Sequence, residues 1–244
     1  MKVVFSRKGF DSSYGGAPSP IVGGRPVSLP IPASRGEATT FGELGLGDLV
    51  TNATRGRITA HHSCHDDPMF TDGHCWLGQV NQAQSHLRNQ GVGIGDVFLF
   101  FGLFADPETG ERHHRIFGAM TVACFGSPQE IRSHDDWREP PRPHPHFFGD
   151  WEPSNTIYHG RGHLAPTTHP SLRLTRPGGP LTRWTVPPWL KERGLTYHRR
   201  AERWIGETEL DAAKRGQEFV CDIGDDPRPR RWLERIMARI AGSE

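Results

Sequence analysis

The alternation of apolar and polar positions predicts a fold dominated by strands. The chain opens on "MKVVFS", a β-rich run, then turns through "RKGFDSSYGGAPSPIVGG" toward a second strand near Val27–Ile31. "GVGIGDVFLFFGLF" is a turn feeding an unbroken apolar run, the pattern of a strand covered on both faces. "HRIFGAMTVACF" is its natural partner, joined through the hairpin-like "ADPETGERH". "NTIYH", "LRLTRP" and "RWTVPPWL" predict shorter strands with proline-enforced exits. Helical patterning is sparse. It predicts a short helix around 41–49, a helix over "QVNQAQSHLRNQG" stopped by Gly91, and an amphipathic helix at about 228–241. Residues 126–155 have no period, and loops of that length tend to be functional. The sum is a mixed, β-rich α+β fold with few helices, read as one domain over 1–244 without internal repeats.

Composition narrows the function classes. With 29 Gly and 21 Pro, the chain favours a loop-rich enzyme or binding domain over a helical bundle. A net charge of +1 supplies no global field for nucleic acid, so any such contact needs a local patch. The four cysteines form no CxxC, and no signal peptide or membrane-length apolar run is visible; the reading is a soluble, cytoplasmic protein with no membrane partner.

Of the 14 histidines, all but His86 and His198 gather in four clusters, at 61–74, 113–114, 134–146 and 159–169. Within "HHSCHDDPMFTDGHC", an extended backbone would point His65 and Asp67 to one face. With one distal histidine they form the ligand set of a facial-triad site with open coordination positions. His144, His146, His159 and His198 are all candidates for the third ligand, and His146 is the one taken forward. The competing reading is a His–Asp pair that closes a loop. The expected cofactor is a divalent transition metal, iron before zinc, because Cys64 and Cys75 lack the spacing of a zinc knuckle.

Lys8, Asp11 and Ser12 sit in a glycine-rich turn that can aim backbone N–H groups and a point charge at a ligand. In "RGQEFV", Arg215 can clamp a phosphate, Gln217 can read a base edge and Glu218 can act as acid or base; structural ion pairing is the plainer alternative. Arg142, Trp151 and Tyr158 lie in or beside the long loop and offer a guanidinium and stacking surfaces to a substrate.

Several strings together, "FSRKGFDSSYGGAPSPI", "CHDDP", "NQGVGIGDVFLFFGLF", "HRIFG", "LTRPGGP" with "PPWL" and "LTYH", and "RGQEFV", resemble the third of the nucleotide modification associated domain families of bacteria and their phages. The resemblance runs from Met1 to about Asp222. It implies a setting of DNA base or nucleotide modification, with a nucleotide or nucleic acid as partner. It places Lys8, Asp11 and Ser12 in the opening motif, His65 and Asp67 in "CHxDP", Tyr197 and His198 in "LTYH", and Arg215, Gln217 and Glu218 in "RGQEFV". Met69 stands where that pattern has an acidic residue, so no role is carried to that position. The reading is an enzyme that modifies a nucleotide or a base, with His198 among its catalytic groups and Tyr197 among its substrate contacts. Two alternatives stand beside it. "GDVFLFF" and "RIFGAMTV" are similar to strands of PUA-like barrels, which gives a non-catalytic reader of modified bases; a tailoring enzyme acting on a small molecule or peptide is the other.

Overall fold

The computed structural model describes residues 1–33, 39–214, 216 and 218–243. Among them, seven strands form a mixed sheet: β1 (Lys2–Arg7), β2 (Met69–Thr71), β3 (His74–Gln79), β4 (Val97–Ala105), β5 (Arg112–Gly126), β6 (Thr156–Leu164) and β7 (Glu218–Asp222). Their spatial order is β7-β1-β4-β5-β6-β3-β2, with β1 parallel to β4 and the other neighbours antiparallel. The helices are α1 (Gly47–Thr54), α2 (Asn81–Asn89), α3 (Pro188–Arg193) and α4 (Pro227–Ala241). None is long and apolar enough to cross a membrane.

Strand periodicity divides the core into two layers. On one face Val3, Phe5, Leu99, Phe101 and Phe219 pack with Trp184 and the apolar side of α4, through Leu233, Ile236 and Ile240. On the other, Val4, Leu77, Phe98, Phe100 and Val220 pack with Leu87 of α2. The uninterrupted "VFLFF" run is therefore a strand buried on both faces.

That second face changes character at one end. Two residues on from Val4 comes Ser6; two before Val220 comes Glu218; two after Leu77 comes Gln79, and all three polar residues are buried. Gln79 donates to Glu218 Oε1 at 2.9 Å, although four strands separate β3 from β7 in the sheet. The sheet must therefore curl strongly, with this face concave. The bulge at His159/Gly160 helps the curl, and a Cβ at Gly160 would lie 1.9 Å from Thr121 O. The curl stops short of a barrel: β7 and β2 remain separate edges among the described residues, so the PUA-like closure expected from "GDVFLFF" and "RIFGAMTV" is not found.

Two local expectations shift. The helix placed around 41–49 begins at Gly47. Thr40 and Glu43 do exchange capping hydrogen bonds, but Gly45 adopts φ 69° and ends that turn before a helix can propagate. In place of a strand at 27–31, two-residue pairings appear: Ile21–Val22 with Arg25–Pro26, and Ile31–Pro32 with Cys64–His65. Pro30 and Pro32 have no amide to give a longer ladder.

Candidate functional site

The polar end of the concave face opens into a cavity of about 710 Å³. Lys8, Asp11, Ser12, His65, Asp67, His146 and Trp151 all border it. Lys8 arrives through β1: its amide donates to Phe101 O, and the chain then turns at Gly9, where φ is 76° and a Cβ would lie 2.4 Å from Ser28 Oγ. His65 arrives through the pairing of Ile31 with His65. His146 arrives through a short 3₁₀ turn, Pro145–Phe147, inside the long aperiodic loop.

His65, Asp67 and His146 each offer one ligand atom, and these atoms lie within 4.8 Å of one another. The surrounding bonds fix the His146 ring. Asn155 Nδ2 donates to His146 O at 2.8 Å, which fixes the amide so that Asn155 Oδ1 accepts from His146 Nδ1 at 2.7 Å. The imidazole proton is thereby held on Nδ1 and Nε2 keeps its lone pair. Trp151 stacks on the ring at 4.2 Å and 9°, and on its other side a Cβ at Gly78 would come within 2.1 Å. Burial pushes the His146 pKa down to about 4, against the pull of Asp67, so the imidazole is neutral at pH 7.

The Asp67 carboxylate is buried and kept ionised. Its Oδ1 accepts the Gly78 amide at 2.7 Å, and Lys8 Nζ stands 3.9 Å from Oδ2. His144 accepts the His146 amide at Nδ1, so Nε2 carries the proton and faces Asp67 Oδ1 at 3.3 Å, though off the line of a full hydrogen bond. Burial alone would raise the Asp67 pKa, but His144, Lys8 and His146 together outweigh it and leave it well below the usual carboxylate range.

Glu218 is the opposite case. Its Oε1 accepts from Ser6 Oγ at 3.0 Å and from Gln79, with Lys8 Nζ at 3.5 Å. Its Oε2 is buried without a hydrogen-bond partner. Burial raises its pKa despite Lys8. Lys8 thus stands between one carboxylate driven toward ionisation and another driven toward protonation, a separation typical of acid–base sites. Glu218 borders a second cavity of about 1200 Å³, which shares Tyr14, Val80 and Gly216 with the first.

Other candidates lie differently. Asp11 Oδ1 accepts the amides of Ser13 and Tyr14, both at 2.7 Å, so that oxygen closes the turn. His198 is fully buried; Nδ1 donates to Thr196 O and Nε2 accepts the Ala213 amide, each at 2.8 Å. Both ring nitrogens hold backbone groups. His159 pairs with His74 at 3.2 Å, outside the triad. Tyr158 is buried and donates to Gln84 Oε1 at 3.0 Å, and Arg142 pairs with Asp66 at 2.8 Å beside a different cavity. Tyr197 is exposed and borders the 1200 Å³ cavity. Arg215 and Gln217 lie outside the described residues.

Sequence reasoning missed Gly78, Gln79 and Asn155, and it weighed His144 only as an alternative ligand, not as the partner of Asp67. The "GQ" that ends the apolar "CWL" of β3 is a visible break in pattern, and the HxH of "HPH" was a signal for His144 beside His146. Asn155 had none.

Fold and site together define a β-rich α+β protein that carries two histidines and a carboxylate to the wall of a polar cavity. The chain belongs to the family described as nucleotide modification associated domain 3, whose model matches residues 2–222. No curated protein and no solved structure matches it.

Proposed function

We propose that the protein is a metal-dependent enzyme that modifies a nucleotide or a base in nucleic acid. The observation that carries this reading is the convergence of His65, Asp67 and His146 on the cavity wall, their ligand atoms within 4.8 Å. Two imidazoles and one carboxylate suit iron(II) bound with open positions, and a divalent metal there supplies Lewis acidity on the cavity side. Lys8 balances the buried charge of Asp67 and offers a cation to a substrate phosphate or a developing anion. Glu218, held toward its neutral form, is the group suited to donate a proton, with its unpartnered Oε2 as the donor atom. Trp151 gives a flat wall for a base. The family's description supports a nucleotide or nucleic acid as the substrate class.

Elemental analysis of the purified protein, beside His65→Ala, Asp67→Ala and His146→Ala, tests the proposal. One equivalent of iron in the parent and its loss from all three folded variants is expected. Equal metal content in parent and variants would overturn it.

A further inference from the structure

The cavity beside the triad is the inner end of a longer groove. The 1200 Å³ cavity next to it shares Tyr197 and His86 with a third, of about 630 Å³, bordered by Arg199, Arg200 and Arg203. From inside to outside, the groove runs from the triad past Tyr14 and Tyr197 to three guanidinium groups.

The two tyrosines are not packing residues. Tyr14 is 49% exposed and Tyr197 is 50% exposed. Tyr197 also has φ 65°, a left-handed backbone that a bulky side chain seldom adopts. Its neighbours impose that conformation: the Thr196 amide donates to Val220 O, Thr196 Oγ1 accepts the Val220 amide and contacts His86 Nε2 at 3.1 Å, and the His198 amide donates to Leu195 O. The segment is clamped on both sides, and the ring is left in the groove, 4.7 Å from His86. Local strain held in place by anchors is a mark of functional segments.

The arginines differ among themselves. Arg203 is engaged, donating to Asp211 O at 2.9 Å. Arg199 and Arg200 are exposed, and their guanidinium groups make no hydrogen bond or ion pair among the described residues. Two free guanidinium groups beside an exposed aromatic ring form the alternation that a flexible strand uses, with bases stacked on rings and phosphates on cations. The N-cap residue of α2, Val80, makes no side-chain bond and Ser154 Oγ takes the Asn81 amide at 2.9 Å, while Gln82 and Ala83 of the same turn border the middle cavity, so the positive end of the helix adds to the attraction for anions.

We infer that Tyr197, Arg199 and Arg200 form a subsite for the backbone of single-stranded nucleic acid, so that the substrate is a base within a strand rather than a free nucleotide. The inference rests on the nucleotide-modifying reading for the identity of the ligand, but its test needs no turnover. A twelve-nucleotide fluorescent oligothymidylate, a duplex of equal length and thymidine 5′-monophosphate are titrated against the full chain and against Arg199→Gln/Arg200→Gln. The strand should bind the parent far more tightly than the monophosphate. The double variant should lose about tenfold at low salt, and its log–log salt slope should flatten by about 1.4, the value for two phosphate contacts to a single strand. Monophosphate binding should not change. Tyr197→Asn, which tolerates a left-handed backbone but lacks the ring, should also weaken strand binding without loss of folding. Equal strand affinity in parent and double variant would overturn the inference, as would a duplex that binds as tightly as the strand. Arginine-dependent strand binding by protein that holds no metal would leave this subsite standing and defeat the metal-dependent reading alone.

Discussion

Gln79 and Glu218 meet across the curled sheet, the amide donating to Oε1 at 2.9 Å with Oε2 left unpartnered. Glutamine at position 218 can still accept at Oε1, but it has no titratable proton. Because the Glu218 pKa is raised in the fold, its contribution is complete below the unfolded value and is lost as pH rises through the folded one. Glu218→Gln should therefore be as stable as the parent or more so at pH 7, with the difference fading toward pH 4. If Glu218 is the proton donor, product formation should fall about 10²- to 10⁴-fold in the same variant. Urea midpoints at both pH values and one product assay check this.

Lys8→Met should be costly. Lys8 Nζ lies 3.5 Å from Glu218 and 3.9 Å from Asp67, and without it two buried carboxyls face each other with no cation. Removing one partner of a buried pair costs about 3–5 kcal/mol. Denaturation at pH 7 should show a loss of that order, shrinking in acid as the carboxyls take up protons.

Asn155→Ala should spare the ligands and still weaken the metal. Without its Oδ1, His146 Nδ1 loses the 2.7 Å bond that fixes tautomer and ring orientation. Such outer partners are worth about 10- to 100-fold in metal affinity, which competition with a chelator would measure.

Gly78→Ala should act on the same ring from its other side. The added Cβ would lie 2.1 Å from His146 Cγ and Cδ2, so the ring must leave its stack on Trp151. Overpacking of this kind costs about 1–3 kcal/mol, and a changed Trp emission with reduced metal content would report it.

Acid should destabilise the fold through His114. Burial holds its pKa down to about 3, and its Nδ1 accepts from Trp184 Nε1 at 3.1 Å. The unfolded imidazole takes a proton near pH 6.5 while the folded one does not. Stability is therefore full above about 6.5 and falls by about 1.4 kcal/mol per pH unit below it. Unfolding free energies from pH 7 to 5, compared with His114→Gln, should show the slope in the parent and a shallower one in the variant.

Much of this was legible from residue pattern alone. The apolar run Val97–Phe101 announced a strand covered on both sides, because period-two geometry is local; His65 and Asp67 do converge, but across a turn in which the Asp67 amide donates to His65 O and not along an extended strand. The clamp on His146 was not legible: Gly78 and Asn155 act by contacts between segments far apart in the chain, which no spacing encodes. The partners of His198 were hidden for a related reason. A polar residue beside a buried strand needs partners, and here backbone groups of Thr196 and Ala213 supplied them. The helix at 41–49 failed because a sound capping signal at Thr40 and Glu43 was overruled by one glycine.

The curl of the sheet also sets an order of assembly. His65, Asp67 and His146 are all synthesised before residue 150, whereas Glu218 emerges near the end and must cross to the strand that began the chain. A nascent polypeptide can thus own all three residues of the triad while it still lacks its buried Glu218. The polar end of the concave face, on this architecture, is complete only when the final strand docks.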